Sequence, residues 1–253
     1  MVAPLVRPVV MSIYEINGQR VPMPERMSRS TPDLNHAMVA IRAEVESAGG
    51  DFALSDLFRS YDMQLQAHLD YVSKKKKAFS PAPGGSMHEA GRAFDVDLKG
   101  MRMQLAEFWR IAQRRGVVPI IERPDSRANE AWHFECRGSH QLVYDYYQAG
   151  HGSNFSRPAE AMAASAILAV GLPHDRFKGK QEAAYLQSGL VRLGAKPGNI
   201  DGDIGPRTLA ALSGLGVAGS TRAEQVLGLD ALLQARFPDE FFDATPQDGA
   251  HLL

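Results

Sequence analysis

The spacing of apolar residues changes character once along this chain, and that change constrains its architecture more than any other feature. From residue 159 onward apolar positions recur only at helical intervals, in segments 159–170, 181–193, 206–212 and 222–236. Before Gly150, helical runs are interleaved with short stretches of period two. A turn-rich segment, Gly150-His-Gly-Ser-Asn-Phe-Ser-Arg-Pro158, separates the two regimes. The expected organisation is an α+β domain over 1–152, with a small central antiparallel sheet and flanking helices, then a small all-α domain over 153–253. A chain of 253 residues is long enough for two ordinary domains.

Within the first region, residues 13–21 alternate around Asn17-Gly18, a strong hairpin signal. Thr31-Pro32-Asp33 opens a helix over about 34–48, with Met38, Ile41 and Val45 on one face and Gly49-Gly50 as its stop. Strands are expected at 52–58, 93–98, 117–121 and 131–136, and helices at 63–72, 101–115 and 139–148. Lys74–Lys77 reads as a solvated loop.

Bulk properties exclude several classes. A net charge of −1 gives no reason to expect nucleic acid or a membrane surface as partner. The one cysteine, Cys136, permits no intrachain disulfide. The longest apolar run, 161–172, falls short of the roughly 20 residues that span a bilayer. Residues 1–11 carry prolines and Arg7 and lack the apolar stretch of a secretory signal.

Three segments carry chemistry together. Ser86-Met-His88 is followed by Asp95 inside an alternating stretch that also holds Asp97. Glu130 precedes His133, and Glu135 shares the strand face of His133, while Trp132 and Phe134 face the other way, toward the core. Two adjacent strands can therefore bring His88, Asp95 and His133 to one point. Two imidazoles and a carboxylate suit zinc and leave a fourth position open, as a catalytic site requires. Glu130 is then the natural proton shuttle. Arg59, in Phe58-Arg59-Ser60-Tyr61-Asp-Met-Gln64, can stabilise a developing oxyanion or simply pair with Asp56 or Asp62.

Jointly these segments resemble the VanY/VanX-type zinc D-alanyl-D-alanine peptidases. The pattern S-x-H-x-x-G-x-A-x-D stands at Ser86 to Asp95, E-x-W-H at Glu130 to His133, and R-S-Y-x-x-Q at Arg59 to Gln64. The likeness spans roughly residues 13–148. It implies the α+β DD-peptidase/Hedgehog-like fold, one zinc ion on His88, Asp95 and His133, Glu130 as general base, and Arg59 on the transition state. Ser86, Tyr61 and Gln64 would meet substrate. Leu57-Phe58 stands where a Gly-Tyr pair often precedes the arginine, which puts the substrate pocket in question. Asp97 and Glu135 are expected to support the histidines from behind.

The C-terminal stretch resembles a peptidoglycan-binding three-helix domain. Its L-Q-x-x-L-x-x-L-G and D-G-x-x-G-P-x-T-x-x-A-L patterns fall between about 176 and 237, with 159–170 as an extra helix. The loop with Asp201, Gly202 and Gly205 is the place expected to contact the wall.

The expectation is a zinc metallopeptidase cutting a peptidoglycan stem peptide, with D-Ala–D-Ala as the leading bond and L-Ala–D-Glu as the alternative. A non-catalytic wall-binding protein is the competing class. Peptidoglycan is the expected partner, without nucleic acid or membrane insertion, and a monomer is favoured. Action at the cell wall or periplasm without a visible signal suggests release by a holin-type lysis route, as for a phage endolysin, or a dedicated secretion system.

Overall fold

The computed structural model describes residues 3–243, so the last ten residues of the 153–253 assignment lie outside it. Contacts divide these residues into two units. One comprises 5–83, 87–137 and 242–243; the other, helical unit comprises 3–4, 84–86 and 138–241.

The first unit is built on six strands: β1 (Met11–Ile16), β2 (Gln19–Pro22), β3 (Leu54–Asp56), β4 (Ala93–Val96), β5 (Val117–Pro119) and β6 (His133–Cys136). They lie in the order β2-β1-β3-β4-β6-β5. The β1–β2 hairpin turns at Asn17 and Gly18, both at positive φ (54° and 75°), as a two-residue primed turn requires. One pairing departs from a purely antiparallel sheet: β1 runs parallel to β3 through Ser12 and Leu54. The other neighbours are antiparallel.

Helices α1 (Pro32–Ser47), α2 (Tyr61–Val72) and α3 (Leu105–Arg114) flank the sheet. Pro32 stands in the first turn of α1, where its missing N–H costs nothing. α2 begins two residues before the apolar pattern does, because the Ser60 hydroxyl caps it by accepting the Met63 N–H. Leu105, Phe108, Trp109 and Ile111 of α3 are buried against the sheet.

The core supplies the register of the future site. Phe94 of β4 stacks on Phe134 of β6 (centroids 5.8 Å apart), and Phe108 meets Phe134 edge-on at 4.9 Å. Each fully buried Phe contributes roughly 1.5–3 kcal/mol. Because side chains alternate along a strand, fixing Phe94 and Phe134 inward turns Asp95, His133 and Glu135 to the opposite face. Slipping one residue would exchange the faces.

Two expectations for this region change. β6 begins at His133, so Trp132 lies before the strand and is half-buried, whereas Ala131 is fully buried. The strand after α3 ends at Pro119, which has no N–H for the ladder.

The helical unit contains α4 (Gln141–Gln148), α5 (Pro158–Ala169), α6 (Gln181–Arg192), α7 (Pro206–Gly214) and α8 (Arg222–Arg236). Residues 161–169 of α5 are all buried, so the most apolar run of the chain is a core helix. No helix among the described residues is long and apolar enough to cross a membrane. The units divide at 137/138 rather than at 152, because α4 packs here. Its Tyr146 and Tyr147 hydroxyls hold the loop before α7, accepting the N–H groups of Gly198 (3.1 Å) and Ile200 (2.9 Å).

Candidate metal centre

Strand pairing assembles the site. β4 and β6 place Asp95 opposite His133, and β3 places Asp56 beside Asp95 on the other flank. His88 comes from a short 3-10 turn, Met87–Ala90, just ahead of β4. All three sequence-derived ligands meet: His88 Nε2 lies 3.2 Å from Asp95 Oδ1 and 3.1 Å from His133 Nδ1, and His133 Nδ1 lies 2.9 Å from Asp95 Oδ1. A tetrahedral zinc shell with bonds of about 2.0–2.1 Å has donor–donor edges of roughly 3.3 Å. The three atoms thus form one face of such a shell, and all three residues are buried.

Both imidazoles are oriented from behind. His88 Nδ1 lies 2.6 Å from the Leu57 carbonyl, to which it donates, so Nε2 is the nitrogen turned toward the cluster. His133 Nε2 faces Glu135 Oε1 at 3.5 Å, and Glu135 Oε2 accepts from Arg137 Nε at 2.7 Å. The cluster uses the main chain of Leu57, whereas its side chain is fully buried in the core. The departure from Gly-Tyr at 57–58 therefore leaves this support intact.

Charge is concentrated here. Burial alone would lift Asp95, but the charges and hydrogen bonds of the two histidines hold it well below the usual carboxylate range. Burial alone would depress His133, yet hydrogen bonds with Asp95 and Glu135 and their negative charge outweigh it and raise the imidazole to about 10. Without a metal His133 is thus a cation between two acids. A divalent ion would replace that proton.

Glu130 sits at the turn into β6, where its carbonyl accepts the His133 N–H at 3.0 Å. It is one of four non-glycine residues at positive φ (66°) among those described, a conformation that carries strain. Its Oε1 is buried with no hydrogen-bond partner. Burial is the main cause of its raised pKa, opposed by His133 and assisted by Asp95.

Arg59 is drawn in by two carboxylates. Its Nε donates to Asp56 Oδ2 at 2.7 Å, its Nη2 lies 2.6 Å from the same oxygen and 3.6 Å from Asp95 Oδ2, and its Nη1 donates to Gln64 Oε1 at 3.2 Å. Of the five N–H groups of a guanidinium, one on Nη1 has no partner in this set. Asp56 thus emerges as the residue that fixes Arg59. Its position three residues earlier was the only signal in sequence.

Two expectations need revision or division. Gln64 is fully buried, and its amide also donates to Ser80 Oγ (3.0 Å) and the Pro81 carbonyl (2.7 Å), so it braces Arg59 from inside the protein. Asp97 lies beyond β4, and its oxygens accept from Arg20 Nη2 (3.0 Å) and the Lys99 N–H (3.1 Å), not from a histidine. Only Glu135 lies behind His133. Tyr61 is exposed at the start of α2, and Ser86 is buried and groups with the helical unit.

In the helical unit the loop expected to contact the wall is held from inside. The buried Gln187 amide donates to Asp201 Oδ1 (2.8 Å), and its oxygen accepts the N–H groups of Asp201 (2.9 Å) and Gly202 (2.7 Å). Gly202 packs so closely on Lys180 that a Cβ would come within 2.6 Å of the lysine Cβ. Gly205 precedes Pro206 at the start of α7. These motif residues build the loop.

No family model matches the chain, and no curated protein matches it. Solved structures give partial overlaps. The LdcB LD-carboxypeptidase, described for its peptidoglycan recognition, is 20% identical with a TM-score of 0.41; the overlap covers 52% of this chain and 66% of that one. DacB from Streptococcus pneumoniae D39 is 21% identical with a TM-score of 0.34, covering 58% of this chain and 91% of that one. A zinc complex of the vancomycin resistance D,D-pentapeptidase VanY from a VanB-type cassette is 20% identical with a TM-score of 0.32, covering 57% and 86%. The chain spans just under two thirds of the LdcB chain.

Proposed function

We propose that this protein is a zinc-dependent peptidase acting at the bacterial cell wall. In this reading it hydrolyses the D-Ala–D-Ala bond of peptidoglycan stem peptides, and its helical unit serves as a wall-binding module. The observation that carries the reading is Glu130 Oε1, a buried carboxylate oxygen without a partner at the turn leading into His133. Leaving a buried acceptor unsatisfied costs about 1–3 kcal/mol. Metal ligation by the other three residues has no use for that oxygen, whereas hydrolysis does.

Zinc held by His88, Asp95 and His133 would supply Lewis-acid activation of a water and of the scissile carbonyl. Glu130 takes the proton from the attacking water and delivers it to the leaving amine. Its burial-raised pKa suits a group that must accept a proton and then release it. Arg59, anchored by Asp56 and Gln64, offers its remaining Nη1 N–H to the oxygen on which negative charge develops. Ser86 and Tyr61 are assigned to the substrate. The substrate class comes from the sequence motifs.

The test is incubation of the full chain with purified muropeptides, with and without a chelator, and mass analysis of the products. Loss of one alanine only in the absence of chelator supports the reading. New termini at L-Ala–D-Glu would keep the peptidase and move the bond. Binding to sacculi with no new termini under any metal condition would leave only a wall-binding protein.

A further inference from the structure

Helix α2 hides little of itself. Gln64 is its one buried residue, while Leu69 and Val72, neighbours on one face at i and i+3, are 48% and 55% exposed. Apolar side chains of a surface helix normally turn to the core. The helix leads into Lys74-Lys-Lys-Lys77, all four exposed. This run folds back on the helix end: Lys74 stands at positive φ (62°) with its N–H donating to the Tyr71 carbonyl at 3.0 Å, and the Lys76 N–H donates to the Asp70 carbonyl at 2.9 Å. Beyond the lysines Phe79, 41% exposed, meets Tyr71 edge-on with centroids 5.3 Å apart, and the Gln64 amide donates to Ser80 Oγ at 3.0 Å. The helix end and the lysine loop are therefore one piece, all within the first unit. Asp62 and Asp70 are the only acids between residues 61 and 80, and no ion pair among the described residues involves the four lysines. The negative end of the helix dipole favours cations in this position. It does not account for the bare leucine and valine beside them.

We propose that the end of α2 and the lysine loop dock on a bilayer containing anionic phospholipid. Leu69, Val72 and Phe79 enter the boundary between headgroups and acyl chains, and the ammonium groups meet the phosphates. The net charge of −1 conceals this patch, because the attraction is local and fades within a Debye length. A soluble polyanion would engage the lysines and leave the apolar side chains in water. An anionic bilayer engages both. The proposal goes beyond the peptidase reading and does not depend on it.

The test is cosedimentation of the full chain with phosphatidylcholine vesicles, with and without phosphatidylglycerol. The parent should bind only the anionic vesicles, and less as salt rises. Lys75→Gln with Lys77→Gln should weaken binding by about 10- to 30-fold. Lys76 is kept, because its charge also acts on Glu130. Leu69→Gln with Val72→Gln should weaken binding by roughly 10-fold and leave thermal unfolding unchanged, since both side chains are already in water. Leu69→Trp adds an emission that brominated acyl chains should quench. Equal binding to both kinds of vesicle, or to neither, overturns the proposal. Undiminished binding after Leu69→Gln with Val72→Gln, or emission that brominated lipid leaves unquenched, also overturns it and assigns the lysines to a soluble polyanion such as poly(glycerol phosphate). Self-association that Leu69→Gln abolishes, without vesicle binding, would give the face to a second copy of the chain instead.

Discussion

His88 Nδ1 donates to the main-chain oxygen of Leu57 at 2.6 Å, which turns Nε2 toward Asp95 (3.2 Å) and His133 (3.1 Å). A backbone acceptor cannot be lost by substituting Leu57, so the orientation of this imidazole is built into β3 and the segment after it. His88→Ala removes the donor and strands the carbonyl, a cost of about 1–3 kcal/mol to the metal-free fold. Zinc affinity, read by competition with a chromogenic chelator, should fall by at least ~100-fold. Affinity within several-fold of the parent would remove His88 from the site.

Glu135 links His133 to Arg137 and holds the ring with Nδ1 forward. Glu135→Gln keeps the shape and removes the charge. The same competition assay should show zinc affinity reduced by about 10–100-fold. The matching substitution Asp97→Asn should leave zinc affinity alone, because Asp97 pairs with Arg20.

Metal uptake should release protons. Metal-free His133 is raised to about 10, chiefly because the Asp95 and Glu135 carboxylates outweigh its burial. At pH 7 it therefore carries a proton that zinc must displace. Calorimetric titration in two buffers of different ionisation enthalpy should report about one proton released per ion, with apparent affinity weakening roughly tenfold per unit as pH falls. Binding that is independent of pH between 6 and 8 would contradict the assignment of His133 Nδ1 as a ligand.

The meeting of His88, Asp95 and His133 is legible in the sequence because their residue types, order and strand alternation all point one way. Asp95 and His133 turn to one face once Phe94 and Phe134 take the other, and that pattern is local. What the sequence hides is tertiary. Gln64 sits in a motif and reads as a substrate contact, yet the loop around Ser80 and Pro81 folds over it and leaves it bracing Arg59. Asp97 shares the period of Asp95, but β4 stops at Val96 and Arg20 reaches across from β2. Helix α4 follows the first unit in sequence while its tyrosines grip a loop about fifty residues further on. Period and spacing carry no information on such partners.

Glu130→Gln should separate metal binding from chemistry. The amide keeps the shape of the turn into β6 but cannot take a proton. Zinc content should be retained, and kcat should drop by about 10²–10⁴-fold. With Glu130 as the base, the parent's activity should be lost as pH falls and this carboxylate becomes protonated. A variant within several-fold of the parent would mean that another group is the base.

The most direct measurement is diffraction from a zinc-soaked crystal at the zinc absorption edge. One strong anomalous peak should stand about 2.0–2.2 Å from His88 Nε2, Asp95 Oδ1 and His133 Nδ1 together. Density for zinc elsewhere, with these three atoms still bonded only to one another, would contradict the account.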